Sequence, residues 1–197
     1  MLNISDGGHI ENLGVMELLR RKCRLIIAVD GTADGEYSFE DFTNLCVRAR
    51  NELGMEIRFR SGFAPEDTIR PNPSHGYSKR RFAIADVYQL WEEVEEYDSE
   101  GNVFEVLKHF ENKKVGTLVY AKSAVIAPEG KPVIREKDSL KYATYKYKIY
   151  HPEFPHESTS DQFFDPTQWE SYYQLGQYMA AEVLDVPNFN SYGKIQC

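Results

Sequence analysis

With 197 residues, 42% of them hydrophobic, the chain is long enough for one domain, or one large piece of a bigger one, with a core of ordinary size. A formal charge of −8 argues against a nucleic-acid partner, because phosphate binding needs clustered Lys and Arg. The two basic spots, Arg20-Arg21-Lys22 and Lys79-Arg80-Arg81, read as solvated helix or loop faces.

Three cysteines, Cys23, Cys46 and Cys197, share no metal-type spacing and are odd in number. That fits unpaired thiols in a reducing, cytoplasmic compartment. Met1-Leu2-Asn3-Ile4-Ser5-Asp6 has no signal-peptide pattern, and the longest clean apolar run, Leu25 to Val29, is far below a bilayer span.

In chain order, Leu2 to Ser5 reads as the end of a strand closed by the turn Asp6-Gly7-Gly8. Leu13, Met16, Leu18 and Leu19 follow at helical spacing, with Arg20, Arg21 and Lys22 in the last turn, where cations suit the helix dipole. Cys23 to Val29 is a nearly continuous apolar run that predicts a central strand buried on both faces. Ser38 with Asp41 resembles a capping box opening a helix through Phe42, Leu45, Ala49 and Leu53, which Gly54 stops. Met55 to Phe59 then alternates as a strand. This order predicts an α/β fold with a mostly parallel sheet flanked by helices.

Beyond Ser61 the pattern loosens, and residues 65–112 read as an irregular insertion. Within it, Arg81 to Tyr88 is a strand candidate, and the acidic stretch Trp91 to Asn112, broken at Gly101, is an insertion or hairpin tip. Val115 to Val125 predicts a strand, Asp138 to Tyr150 a tyrosine-rich helix ended by Pro152, and Pro166 opens a final helix through Val183.

The densest cluster of chemistry-bearing residues is Asp6-Gly7-Gly8-His9-Ile10-Glu11-Asn12. A carboxylate at a strand end, then two glycines and a helix, sits where open α/β sheets place their sites. The glycines permit a sharp turn and a close approach to the carboxylate, which can accept a proton from a serine hydroxyl supplied elsewhere in the fold. The plainer alternative is an aspartate capping the helix that follows.

Asp6-Gly7-Gly8 resembles the Asp-Gly-Gly/Ala motif of patatin-like lipid acyl hydrolases. The extension through His9-Ile10-Glu11-Asn12-Leu13-Gly14 to the strand Leu25–Asp30 is similar to a bacterial branch of that family. So are His151-Pro152-Glu153-Phe154-Pro155-His156-Glu157-Ser158-Thr159, Asp161-Gln162-Phe163-Phe164 and Gln168-Trp169-Glu170-Ser171-Tyr172, while residues 65–112 match nothing in it.

The resemblance implies a Ser–Asp dyad with Asp6 as its base, supported by the turn at Gly7 and Gly8, and needs neither metal nor cofactor. It implies a lipid or ester substrate, peripheral membrane contact by the parent protein, and self-association through apolar surface left uncovered beside Asp6. The family's serine sits in a Gly-x-Ser-x-Gly elbow upstream of the aspartate, with a glycine-rich oxyanion loop; this sequence contains neither. The expectation is therefore an incomplete patatin-like domain lacking its N-terminal nucleophile half: a truncated gene product or fragment, inactive alone. The second expectation is a non-catalytic α/β binding or assembly module.

Sharper alternatives weigh less. Asp6, His9 and Glu11 are acceptable metal ligands, but residues two apart point to different sides of a helix. Asp30-Gly31-Thr32 with Asp34 is similar to strand-end phosphoryl-transfer aspartates, yet lacks the aspartate two residues earlier and reads as a plain loop. His151 and His156 read as part of a structural loop rather than triad members. Tyr142, Tyr145, Tyr147 and Tyr150 predict a helix face packed on the core rather than one turned to lipid.

Overall fold

The computed structural model describes residues 11–126, 139–158, 160 and 163–185. In chain order it contains α1 (Met16–Arg20), β1 (Leu25–Asp30), α2 (Glu40–Leu53), β2 (Met55–Phe59), α3 (Pro65–Thr68), β3 (Phe82–Tyr97), β4 (Val103–Lys122), α4 (Ser139–Tyr150) and α5 (Pro166–Leu184).

The strands form one four-stranded sheet in the order β1-β4-β3-β2. Only the β1–β4 pairing is parallel; β4–β3 and β3–β2 are antiparallel. The fold is α/β as the sequence predicts, but the sheet is mixed rather than mostly parallel. The reason lies in residues 82–122, where two long strands joined at Asp98–Asn102 form a hairpin, and a hairpin is antiparallel by construction.

Helices cover the sheet on both faces. On one, Val15 with Met16 and Leu19 of α1, and Phe42, Leu45 and Ala49 of α2, pack on alternate strand residues such as Ile26, Ala28, Ala85 and Leu118. On the other, Val183 and Met179 of α5 meet Phe82, Ile84, Val119 and Ala121. Because the inner ends of β3 and β4, near residues 82–87 and 116–122, are covered on both sides, their sequences there lose the clean alternation of a half-solvated strand.

β1 differs from its expectation. It lies at the edge of the described sheet, with Ile26, Ala28 and Asp30 buried but Ile27 40% and Val29 60% exposed. α5 lies over β3 and β4, and no described helix covers the second face of β1. An apolar run announces a strand but does not say how many of its faces are covered.

The helix ends are set locally. Asp165 accepts from the amides of Thr167 and Gln168 at 2.7 and 2.9 Å, and Pro166 takes the first helical position of α5, where no N–H is needed. Gly54 ends α2 at φ +61°, and a Cβ there would meet the Trp91 carbonyl and lie within 2.5 Å of its indole. Ser38 is not the cap expected for α2. Asp34 instead accepts from the Ser38 and Phe39 amides at 2.8 and 3.0 Å, and Phe39 turns into the helix in the left-handed region.

Candidate functional site

Asp6, Gly7 and Gly8, and His9 with them, lie outside the described residues. The described remainder of their block shows what its polar residues do. The Glu11 carboxylate accepts from the amides of Leu13 (2.6 Å), Val15 (2.8 Å) and Met16 (3.3 Å), so both of its oxygens cap the start of α1. A carboxylate so engaged is not presented to a metal. Asn12 donates to Asp41 at 3.0 Å and ties this turn to the first turn of α2.

The principal polar cluster lies at the C-terminal ends of the parallel pair, the edge at which α/β sheets bind ligands. Asp30 and Lys122 are register partners there, 2% and 1% exposed, with Nζ 2.8 Å from Oδ2. The same oxygen accepts from the Tyr120 hydroxyl at 2.5 Å, while Oδ1 accepts from the Thr32 amide (2.9 Å) and hydroxyl (2.6 Å). Lys122 also donates toward the Thr32 carbonyl and hydroxyl oxygens at 3.1 and 3.2 Å.

Burial alone would raise the pKa of Asp30, but donors from Lys122, Thr32 and Tyr120 outweigh it and hold the carboxyl below its usual range. The Tyr120 phenol is pushed up by burial and by this carboxylate. A carboxylate with four donors on two oxygens has little capacity left to take a proton or attack an electrophile. Asp30 organises the loop, in keeping with the plain-loop reading of Asp30-Gly31-Thr32.

That loop carries Asp34, whose carboxylate caps the Ser38–Phe39 turn while its amide donates to Nδ1 of His156 at 3.3 Å, 122 residues away. The His156 ring also stands edge-on to Tyr37, with centroids 4.6 Å apart. Accepting at Nδ1 places the proton of the neutral ring on Nε2, which is buried without a partner. Burial, and then the positive charge of Lys122, lower the His156 pKa to about 4. His156 is thus a neutral packing residue, as its loop reading predicts.

The neighbouring residues complete a second joint. Phe154 is fully buried against Tyr147 and Tyr172, and Glu157 accepts from Tyr147 (3.0 Å) and Gln168 (3.2 Å). The tyrosine series of α4 divides: Tyr147 is buried and Tyr145 stacks with Tyr77, while Tyr142 and Tyr150 are exposed. His151 stacks on Tyr147 with centroids 4.0 Å apart.

Between this loop and the start of α2 lies a pocket of about 120 Å³, lined among others by Thr32, Asp34, Ser38, Glu40 and Asp41. It is well below the roughly 300–1,000 Å³ of a typical small-molecule site. Its carboxylate rim also repels anions. Among the described residues, no group of His, Cys, Asp and Glu is arranged to hold a metal, and no helix is long and apolar enough to cross a membrane. Burial pushes the Cys46 thiol up to about 11, so it is a packing residue rather than a nucleophile.

Compared with family models, with curated proteins and with solved structures, the chain matches none.

Proposed function

We propose that this chain is the C-terminal part of a patatin-like serine lipid acyl hydrolase, carrying the dyad aspartate Asp6 but not the serine. One observation carries the reading. The loop that follows the first block of the resemblance approaches a later block at one sheet edge: it hydrogen-bonds through the Asp34 amide to His156, beside the Asp30–Lys122 pair. The exposed second face of β1 accords with it, since a parallel strand is ordinarily covered on both faces.

In this reading a serine outside these residues attacks an ester carbonyl while Asp6 takes its proton. Asp6 passes that proton to the departing alcohol, then takes one from the water that attacks the acyl-enzyme and returns it to the serine as the acid leaves. Gly7 and Gly8 let the serine approach the carboxylate. The substrate is a lipid or other carboxylic ester, reached by peripheral contact with a membrane, and no metal or cofactor takes part.

A second reading, a non-catalytic α/β assembly module, is favoured by the saturated Asp30 cluster and the small pocket, which offer no reactive group among the described residues.

The test begins with the codons in frame before Met1. An encoded Gly-x-Ser-x-Gly is expected there, and the longer product should hydrolyse 4-nitrophenyl butyrate. Asp6→Asn in that product should keep the fold and abolish most turnover, because an amide cannot accept the serine's proton. The 197-residue chain alone should show no turnover above buffer. Full activity in Asp6→Asn, or a stop codon in place of the elbow, would favour the assembly module.

A further inference from the structure

The far end of the β3–β4 hairpin leaves the body of the protein. β2 pairs with β3 only between Ala85 and Gln89, and β1 pairs with β4 only from Thr117 onward. From Trp91 to Tyr97 and from Val103 to His109 each strand has only the other as its strand partner among the described residues; at the root of the arm Trp91 also touches Gly54 and Glu92 pairs with Lys22. A register shift between Gln89 and Trp91, with Asn112 at φ +51°, separates this arm from the sheet. At about 3.4 Å per residue the arm is roughly 20–25 Å long. Two-stranded ribbons are marginal on their own in water.

The two open edges differ in chemistry. The β3 edge carries Glu92, Glu93, Glu95 and Glu96, the charges by which proteins guard an edge against pairing. The β4 edge carries Val103, Phe104, Val106 and Leu107, with Tyr97 beside it; Leu107 is 54% and Tyr97 68% exposed. Charge is also graded along the arm. Residues 95–105 hold the five carboxylates Glu95, Glu96, Asp98, Glu100 and Glu105 and no Lys or Arg, whereas the root of β4 holds Lys108, Lys113 and Lys114 with Glu111 among them, Lys113 reaching Glu92 and Lys114 reaching Asp86 within the chain. Glu95 stands directly opposite Glu105, a like-charge pairing that disfavours the arm in isolation.

We propose that the outer edge of β4, Val103–His109, pairs antiparallel with the same edge of a second copy of this chain, making a four-stranded ribbon across a two-fold axis. Charge selects this occupant. Antiparallel pairing about a two-fold lays the acidic tip of each arm beside the lysine-bearing root of the other, and both contacts recur by symmetry. Nucleic acid and anionic lipid are repelled by the tip. The inference makes no use of Asp6 and stands independently of the function proposed above.

Sedimentation equilibrium of the purified full chain, from about 1 to 100 µM, tests it. A dimer that dissociates on dilution and weakens with salt is expected. Leu107→Lys should weaken it at least about tenfold, as should the root swap Lys108→Glu/Lys113→Glu or the tip swap Glu100→Lys/Glu105→Lys; the two swaps together should restore it. None of these residues belongs to a hydrophobic core, so an unchanged circular dichroism spectrum checks the body of each variant. A monomer over the whole range, or a dimer indifferent to Leu107→Lys and to the separate swaps, overturns the proposal.

Discussion

Asp30 and Lys122, 92 residues apart, are register partners on parallel strands, and their side chains close the end of that ladder with a 2.8 Å ion pair hidden from solvent. Removing one partner leaves the other charge buried alone. Lys122→Met is therefore expected to destabilise the fold by about 3–5 kcal/mol, and Asp30→Asn/Lys122→Met by clearly less, because no bare charge remains. Urea unfolding of the three proteins measures this; equal losses in the single and double variants would show that packing, not charge, holds the joint.

The His156 contact predicts a pH dependence with a definite sign. Unfolded imidazole takes its proton near pH 6.5, the folded one only at about 4, so the unfolded state binds more protons between those values. Stability should fall as pH drops from about 6.5 to 4, by about 3 kcal/mol in all, and this contribution should then level off. Asp30 and Asp34 have depressed folded values, so their stabilisation is complete above about 4 and is lost only at lower pH. His156→Gln keeps an acceptor for the Asp34 amide and should flatten only the upper window. Thermal unfolding at one-unit pH steps separates the two.

Gly54→Ala is expected to cost about 2–4 kcal/mol, combining the left-handed backbone with overlap against Trp91. Gly101→Ala, at φ +86° with open space around it, should cost only about 1 kcal/mol. Chemical denaturation of both variants checks the contrast, which vanishes if Trp91 can move aside.

Glu11→Ala should remove the cap of α1 at a cost of about 1 kcal/mol. The amides of Leu13, Val15 and Met16 should then exchange faster with heavy water while those of α2 are unchanged.

Some element starts and stops were legible, those whose causes lie within a few residues. Pro166 after Asp165, Gly54 after Leu53, and the alternation of Met55–Phe59 each fix a local conformation whatever surrounds it. Partners across the fold were not legible. Glu11 looked like a possible ligand and is a cap; Ser38 looked like a cap, but α2 has no side-chain cap and Asp34 holds the turn that precedes it. Nothing near His156 in the sequence pointed to Asp34, although a histidine within a buried Phe-Pro segment is a signal of packing.

The sequence by itself determined the α/β alternation and those element ends that carry a local signal, such as Gly54 after α2 and Pro166 at the start of α5. It made the two central strands far shorter than Phe82–Tyr97 and Val103–Lys122 and left residues 91–112 as an insertion or a hairpin tip. Only the tertiary structure decided the sheet order. β1 lies at the edge because the long hairpin occupies the centre, and the exposed faces of Ile27 and Val29 follow from that order. Tertiary structure likewise made Asp30 a buried ion-pair partner, because Lys122 reaches it only once β4 has settled in parallel register beside β1. Hydrophobic pattern and local hydrogen bonds act over a few residues, whereas strand order and buried charge pairing depend on contacts across the whole chain.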